Sequence, residues 1–261
     1  MRKNEILNPA ERRQLFGIPT DRDALARLYM FEPKDMDLIV QRRDDPNRLG
    51  FAVQLAVLRH LGMTLAQAQS SDITSPLPSE FLSFVSEQLG IPPSAMAGYA
   101  SREQTMTDHS LELCRAFGLR NSTLVDLPFM TNVAAGVAAS TDHALTIVGG
   151  IIGALRTAKI VLPTVATIER AALAGRAQAR TIATQTLVSG LGEDDLAILD
   201  DLFIHDPDKR ASTLAWLKEV PAAPKADHVT EILERLKFVK AIRNFAQSRS
   251  LLHPNRFAQF V

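Results

Sequence analysis

The chain has 261 residues, equal numbers of basic and acidic side chains, 46% apolar and 22% charged residues, the usage of an ordinary globular protein. One cysteine, Cys114, excludes an intramolecular disulfide and a cysteine-rich zinc module. Zero net charge excludes a uniformly basic, non-specific nucleic-acid binder. The longest apolar run, from Ala144 to Leu155, is shorter than the ~20 residues of a bilayer span.

The punctuation predicts an all-α protein. Asn8-Pro9 is a cap followed by proline at the first helical position, and Gly17 stands where that helix stops. Thr20 caps a segment through Tyr29, and Pro33 opens one ending near Arg43. Asp44 to Asn47 form a turn before a strongly apolar helix, Asn47 to Leu61, stopped by Gly62. A Ser- and Pro-rich loop from Ser70 to Pro78 precedes a helix to Leu89 with Gly90 as its stop, and Pro92-Pro93 open a short one. Ser101 and Gln104 make a capping box for a helix to Phe117, stopped by Gly118. Asn121 to Leu127 reads as a linker between two domains, 1–120 and 121–261. Helical periodicity then continues over Pro128 to Ala139, Asp142 to Arg156, Thr164 to Val188, Glu193 to Ile204, Ser212 to Lys218 and Ala226 to Gln247.

No catalytic or metal constellation stands out. The histidines never fall at i, i+3 or i, i+4, and no phosphate-loop, zinc-protease or EF-hand pattern is present. Gly149, Gly150 and Gly153 lie inside an apolar helix, where close packing explains them. Carboxylates gather between Glu193 and Asp208, but they alternate with apolar residues as a solvated helix face does. The expectation is no metal site, no cofactor, no small-molecule substrate and no enzyme activity in these residues.

Charge is segregated along the chain. Residues 1–60 carry +2, 61–120 carry −3, 121–192 carry +2, 193–235 carry −6 and 236–261 carry +5. In the last segment Lys237, Lys240 and Arg243 are three apart, on one helical face suited to phosphates. The same face is equally suited to pairing with the acidic stretch before it.

Glu80 to Ala100 fits a helix-turn-helix. Ser86 is the small residue of the first helix and Gly90 the turn; Val85, Leu89, Ile91, Met96 and Tyr99 take the buried positions. Ser94, Ser101, Arg102, Gln104 and Thr105 would then face the DNA. The competing reading is an ordinary three-helix core. A second candidate is the helix from Thr164, whose Thr164, Thr167 and Arg170 share one face of its first turns; a long bundle helix with a polar outer face fits as well. Arg42, Arg43, Asn47 and Arg48 form a third group at a helix start.

Four blocks occur in order: Leu15-Phe16-Gly17-Ile18-Pro19-Thr20-Asp21, Asn47-Arg48-Leu49-Gly50-Phe51-Ala52-Val53-Gln54-Leu55, Tyr99-Ala100-Ser101-Arg102-Glu103-Gln104-Thr105, and Leu162-Pro163-Thr164 to Glu169-Arg170. Together they resemble the N-terminal region of the Tn-three family of replicative, cointegrate-forming transposases, from about Glu5 to the chain's last residues. The resemblance implies tandem helical domains that bind double-stranded DNA at the terminal inverted repeats, in a bacterial, cytoplasmic, nucleoid-associated protein. It implies that strand cleavage and joining, with Mg²⁺ on an Asp-Asp-Glu site, belong to a later domain outside this chain. The alternative is a helical interaction or dimerisation module, with the small-residue segment Pro128 to Leu155 packing on a partner helix and self-association through the full-length transposase.

Overall fold

A computed structural model of the chain describes residues 5–71, 73, 76–99, 103–189, 191–206, 211–218 and 226–241. For residues 103, 187, 195, 205, 206, 211, 226–228, 231 and 238–241 only the backbone is described. The architecture is all-α, with one pair of two-residue strands.

The helices start and stop where the punctuation places them. Helix α1 (Pro9–Phe16) carries a full capping box between Asn8 and Glu11. Helix α2 (Arg22–Tyr29) is capped by the Asp21 side chain, one residue past the expected Thr20. Helices α3 (Pro33–Val40) and α4 (Asp45–Leu61) follow, the latter capped by Asp44. Helix α5 (Leu65–Ser70), with Thr64 and Gln67 as its capping box, occupies a stretch to which the sequence reading assigned nothing. Beyond it come α6 (Ser79–Leu89), a 3₁₀ turn (Pro93–Gly98), α7 (Glu103–Ala116), α8 (Leu127–Ala138), α9 (Ala144–Thr157) and α10 (Val165–Val188).

Helix α4 is the core. Every residue from Leu49 to Leu58 is buried, and α2, α3, α5, α6, α7 and the 3₁₀ turn all pack on it. Gly50 is required by this packing: a Cβ there would lie 2.0 Å from the Tyr99 ring.

Two sequence expectations give way here. Asn121 to Leu127 is not a free linker. Arg120 and Ile160 form a parallel bridge, through Arg120 N–H to the Lys159 carbonyl at 3.0 Å and Val161 N–H to the Arg120 carbonyl at 2.9 Å. The Arg120 guanidinium also grips the buried Asp126 at 2.5 and 2.9 Å, and that pairing, with the Thr123 backbone, holds the Asp126 carboxyl far below the usual range. Accordingly the compact units divide at 177/178, within α10, and not at 120/121. The Pro128 to Leu155 segment is likewise occupied internally. Helices α8 and α9 pack on each other, with Gly150 against Val137 and Gly175 of α10 against Thr131 and Ala134.

The second unit, from Gln178, contains α11 (Glu193–Phe203), antiparallel strands β1 (His205–Asp206) and β2 (Ala211–Ser212), α12 (Thr213–Lys218) and α13 (Ala226–Ala241). The guanidinium of Arg235 lies over the Trp216 ring at 5.3 Å.

The first unit closes through one buried carboxylate. Glu169 on α10 accepts the Leu7 N–H at 3.2 Å and both Nε and Nη2 of Arg12 at 3.3 and 2.5 Å. A buried charge that loses its partner costs about 3 kcal/mol or more. Arg12→Ala, which leaves Glu169 buried without its cation, is expected to destabilise by about that much in urea unfolding, Glu169→Ala, which leaves a part-exposed Arg12 beside Glu5, by less, and the double variant by clearly less than the two together. Simple additivity would show that the clasp contributes nothing of its own.

Candidate nucleic-acid interface

Two of the candidate groups of the first unit lie at the two ends of α4, Arg42 to Arg48 at its start and Thr164 to Arg170 beside its end. The helix has 17 residues, so the ends are about 25 Å apart at 1.5 Å per residue.

At its N-terminal end, the structure sorts the basic residues into spent and available. Arg42 is spent: both its terminal nitrogens bond Glu112 of α7, at 2.7 and 2.8 Å, its guanidinium lies 4.6 Å over the Phe51 ring, and its side chain is only 15% exposed. Arg48 is partly engaged, donating Nε to the Arg42 carbonyl at 3.0 Å with Nη1 3.5 Å from Asp45. Asn47 satisfies Asp44, through its N–H at 2.9 Å and its Nδ2 at 3.1 Å. Arg43 is exposed and makes no ion pair among the described residues.

The helix-turn-helix expectation is corrected at this end. Gly90 does take the left-handed conformation a turn needs, at φ +66°, and Val85, Ser86 and Ile91 are buried. But the segment in place of a recognition helix is the six-residue 3₁₀ turn Pro93–Gly98. It ends at Tyr99, whose backbone is extended and whose ring packs on Gly50. Ser94 is exposed on this turn and Gln104 on the first turn of α7, where its Nε2 bonds Asp108 at 2.8 Å. Thr105 is half-buried. Ser101 and Arg102 lie outside the described residues.

A polar network lies beneath. Gln54 Nε2 donates to the Tyr99 hydroxyl at 2.6 Å and to the Met106 carbonyl at 2.9 Å, and the hydroxyl is 3.1 Å from His109 Nδ1. Burial pushes the Tyr99 hydroxyl up to about 12. Burial and then the nearby Arg42 charge lower His109, against the opposing pull of Glu112, Asp108 and Asp44. A neutral imidazole can accept the Tyr99 proton, whose oxygen already receives Gln54; a protonated one breaks that order.

At the other end of α4, the Leu162 N–H donates to the Gly62 carbonyl at 2.8 Å, which sets the start of α10 beside it. Thr164 and Thr167 bond each other through their hydroxyls at 3.0 Å, and Arg170 Nη2 reaches the Thr167 hydroxyl at 3.4 Å while staying exposed. The expected face is therefore formed. Two exposed cations that sequence reasoning passed over, Arg156 and Lys159, end α9 at this same place; the signal available was a lysine at a helix stop of the kind that Gly62, Gly90 and Gly118 make.

In the second unit Lys237 is exposed on α13. The Lys240 side chain and Arg243 lie outside the described residues. The acidic residues Glu193, Asp194, Asp200 and Asp201 are all exposed on α11, and among the described residues no three His, Cys, Asp or Glu side chains gather as metal ligands. No described helix is long and apolar enough to cross a membrane.

The chain belongs to the family described as Domain of unknown function (DUF4158), whose match covers residues 6–175. It is 33% identical over 261 residues to the transposase for transposon Tn21 of Escherichia coli, and 33% over 261 residues to that for Tn501 of Pseudomonas aeruginosa. It is 30% identical over 260 residues to that for Tn1546 of Enterococcus faecium. These similarities cover 99–100% of this chain, which spans 26% of the length of each relative. The resemblance to Tn-three transposases thus holds along the whole chain.

The histidines set a pH dependence. His109, and His60 lowered by burial and then by Arg156, have folded values below the ordinary ~6.5 of the unfolded chain. Below that value the unfolded state binds more protons, so stability is fully present above pH ~6.5 and falls as pH drops toward the folded values. The urea midpoint is expected to be lower at pH 5.5 than at pH 7.5, and less so in His109→Gln. An equal midpoint at both values would contradict the neutral-histidine network.

Proposed function

We propose that this chain is a DNA-binding region of a Tn-three-family transposase, recognising double-stranded DNA at the transposon's terminal inverted repeats, and that it carries no catalytic site of its own. The observation that carries the reading is similarity to transposases along the whole chain. Exposed cations at both ends of α4 are consistent with it. Arg43 at one end and Arg170, with the Thr164–Thr167 pair, at the other are suited to phosphate and sugar contacts. Ser94 and Gln104, both exposed, would add direct or water-mediated polar contacts. Arg42, by contrast, serves by holding α7 against α4. In the second unit, Lys237 and its neighbours in sequence, Lys240 and Arg243, would add phosphate contacts.

Cleavage and joining, with Mg²⁺, are assigned to the remainder of the parent protein. A cytoplasmic, nucleoid-associated location follows from DNA as partner.

One observation favours a second role, in self-association. On α13, Val229, Ile232, Leu233 and Leu236 follow the i, i+3, i+4, i+7 spacing of a helix-packing stripe and are exposed. Light scattering with and without DNA separates the two: a monomer that binds DNA supports the first, and a DNA-indifferent oligomer the second.

The direct test is fluorescence anisotropy with a duplex of the transposon end and a scrambled duplex of equal length, from 50 to 200 mM salt. The end sequence is expected to bind more tightly, with affinity falling steeply as salt rises. Arg43→Ala and Arg170→Ala are each expected to reduce the salt slope by about one contact. Equal binding to both duplexes would overturn sequence-specific recognition, and no binding to either would overturn the DNA reading.

A further inference from the structure

Helices α4, α7 and α9 end side by side. The Leu162 N–H donates to the Gly62 carbonyl at 2.8 Å, the Arg120 N–H to the Lys159 carbonyl at 3.0 Å, and Arg156 Nη2 to the His60 carbonyl at 2.9 Å. Each helix is stopped by a residue in the left-handed region: Gly62 at φ +78°, Gly118 at +62° and Lys159 at +56°. Helix α6 ends in the same way at Gly90. Among the described residues Lys159 is the one non-glycine residue with positive φ.

The turn itself has no need of a lysine. After α9 the chain closes with Ile160 N–H on the Leu155 carbonyl at 2.9 Å, the bond that Leu119 N–H makes to the Cys114 carbonyl, at 2.7 Å, after α7. Glycine serves at Gly118, and it would serve at 159 without the clash between Cβ and backbone that a left-handed lysine bears. A cation near the negative end of a helix is favourable, but Arg156 already supplies one to α9 from within its last turn, at ordinary backbone geometry. The strain at 159 therefore points to what the lysine side chain does outside the turn.

The surroundings are basic. Lys159 is exposed, with Nζ 4.0 Å from where a Cβ on Gly118 would stand. Arg156 is exposed one turn before it, and Arg115 is exposed in the last turn of α7. None of the three has an acidic partner among the described residues. The carboxylates at hand are spent elsewhere: Asp35 on Arg59, and Asp126 on Arg120.

We propose that Lys159, flanked by Arg156 and Arg115, is a contact for the phosphodiester backbone of duplex DNA, held in a strained turn that sets its ammonium beside Gly118 at the exposed junction of the three helix ends. This rests on the DNA-binding reading and adds to it a site the sequence motifs do not contain.

The test compares wild-type chain, Lys159→Gly and Lys159→Arg for the urea midpoint and for binding to the transposon-end duplex between 50 and 200 mM salt. Lys159→Gly is expected to fold with an equal or higher midpoint, yet to bind more weakly. Its loss of affinity over that salt range is expected to be about threefold smaller than wild type, as removal of one phosphate contact requires. Lys159→Arg is expected to keep wild-type binding. If Lys159→Gly binds as wild type does, with the same salt slope, the contact is refuted while the DNA reading stands. If the wild-type chain binds no duplex, the DNA reading falls and this site falls with it.

Discussion

The first unit is organised by a helix that has no surface along its middle. From Leu49 to Leu58 every residue of α4 is buried, so the usual amphipathic division into a core face and a solvent face is absent. Its neighbours must cover it from all sides, and its one polar side chain in that stretch, Gln54, must find partners inside the protein; Tyr99 and the Met106 carbonyl provide them. Gly50 lets the Tyr99 ring approach closely enough to do so. Function is displaced by the same constraint. The exposed side chains of the proposed DNA contact stand at the two ends of α4, where helix starts and stops of several elements collect.

Ion pairing within the chain decides which charges remain for a partner. Arg12 is committed to Glu169, Arg22 to Glu87, Arg42 to Glu112, Arg59 to Asp35 and Arg120 to Asp126. Several of these join positions far apart in sequence and set one element against another. Zero net charge is thus no measure of the surface a phosphate backbone would meet. What counts is the set left exposed, which includes Arg43, Arg115, Arg156, Lys159 and Arg170. On the proposed reading, such a surface touches DNA at chosen points and owes less to general attraction.

Local signals made much of the fold readable. Asn8, Pro9, Pro33, Gly62, Gly90 and Gly118 mark helix ends in the sequence, and they mark them in the structure because capping is settled within one or two turns. The helix-turn-helix pattern failed for a different reason. Its buried positions Val85 and Ile91 are indeed buried, but a spacing of apolar residues records burial and not what lies opposite; here that is α4, and the second element is a 3₁₀ turn that ends where Tyr99 packs on Gly50. Arg42 illustrates the limit for site residues. Its partner Glu112 is 70 positions away, so nothing near Arg42 in sequence distinguishes it from Arg43, which stays exposed. Lys159 reads in the sequence as one more turn residue at a helix stop; its left-handed backbone, which only the structure shows, is what gives that lysine its weight.

The most direct measurement is amide hydrogen exchange of the chain, free and bound to the transposon-end duplex. The account predicts slower exchange on binding in two separated stretches, residues 41–48 and 156–170, with little change in residues 49–58, which are buried already. Unchanged exchange in both stretches at saturating duplex, or slowing spread evenly over the first unit, would contradict it.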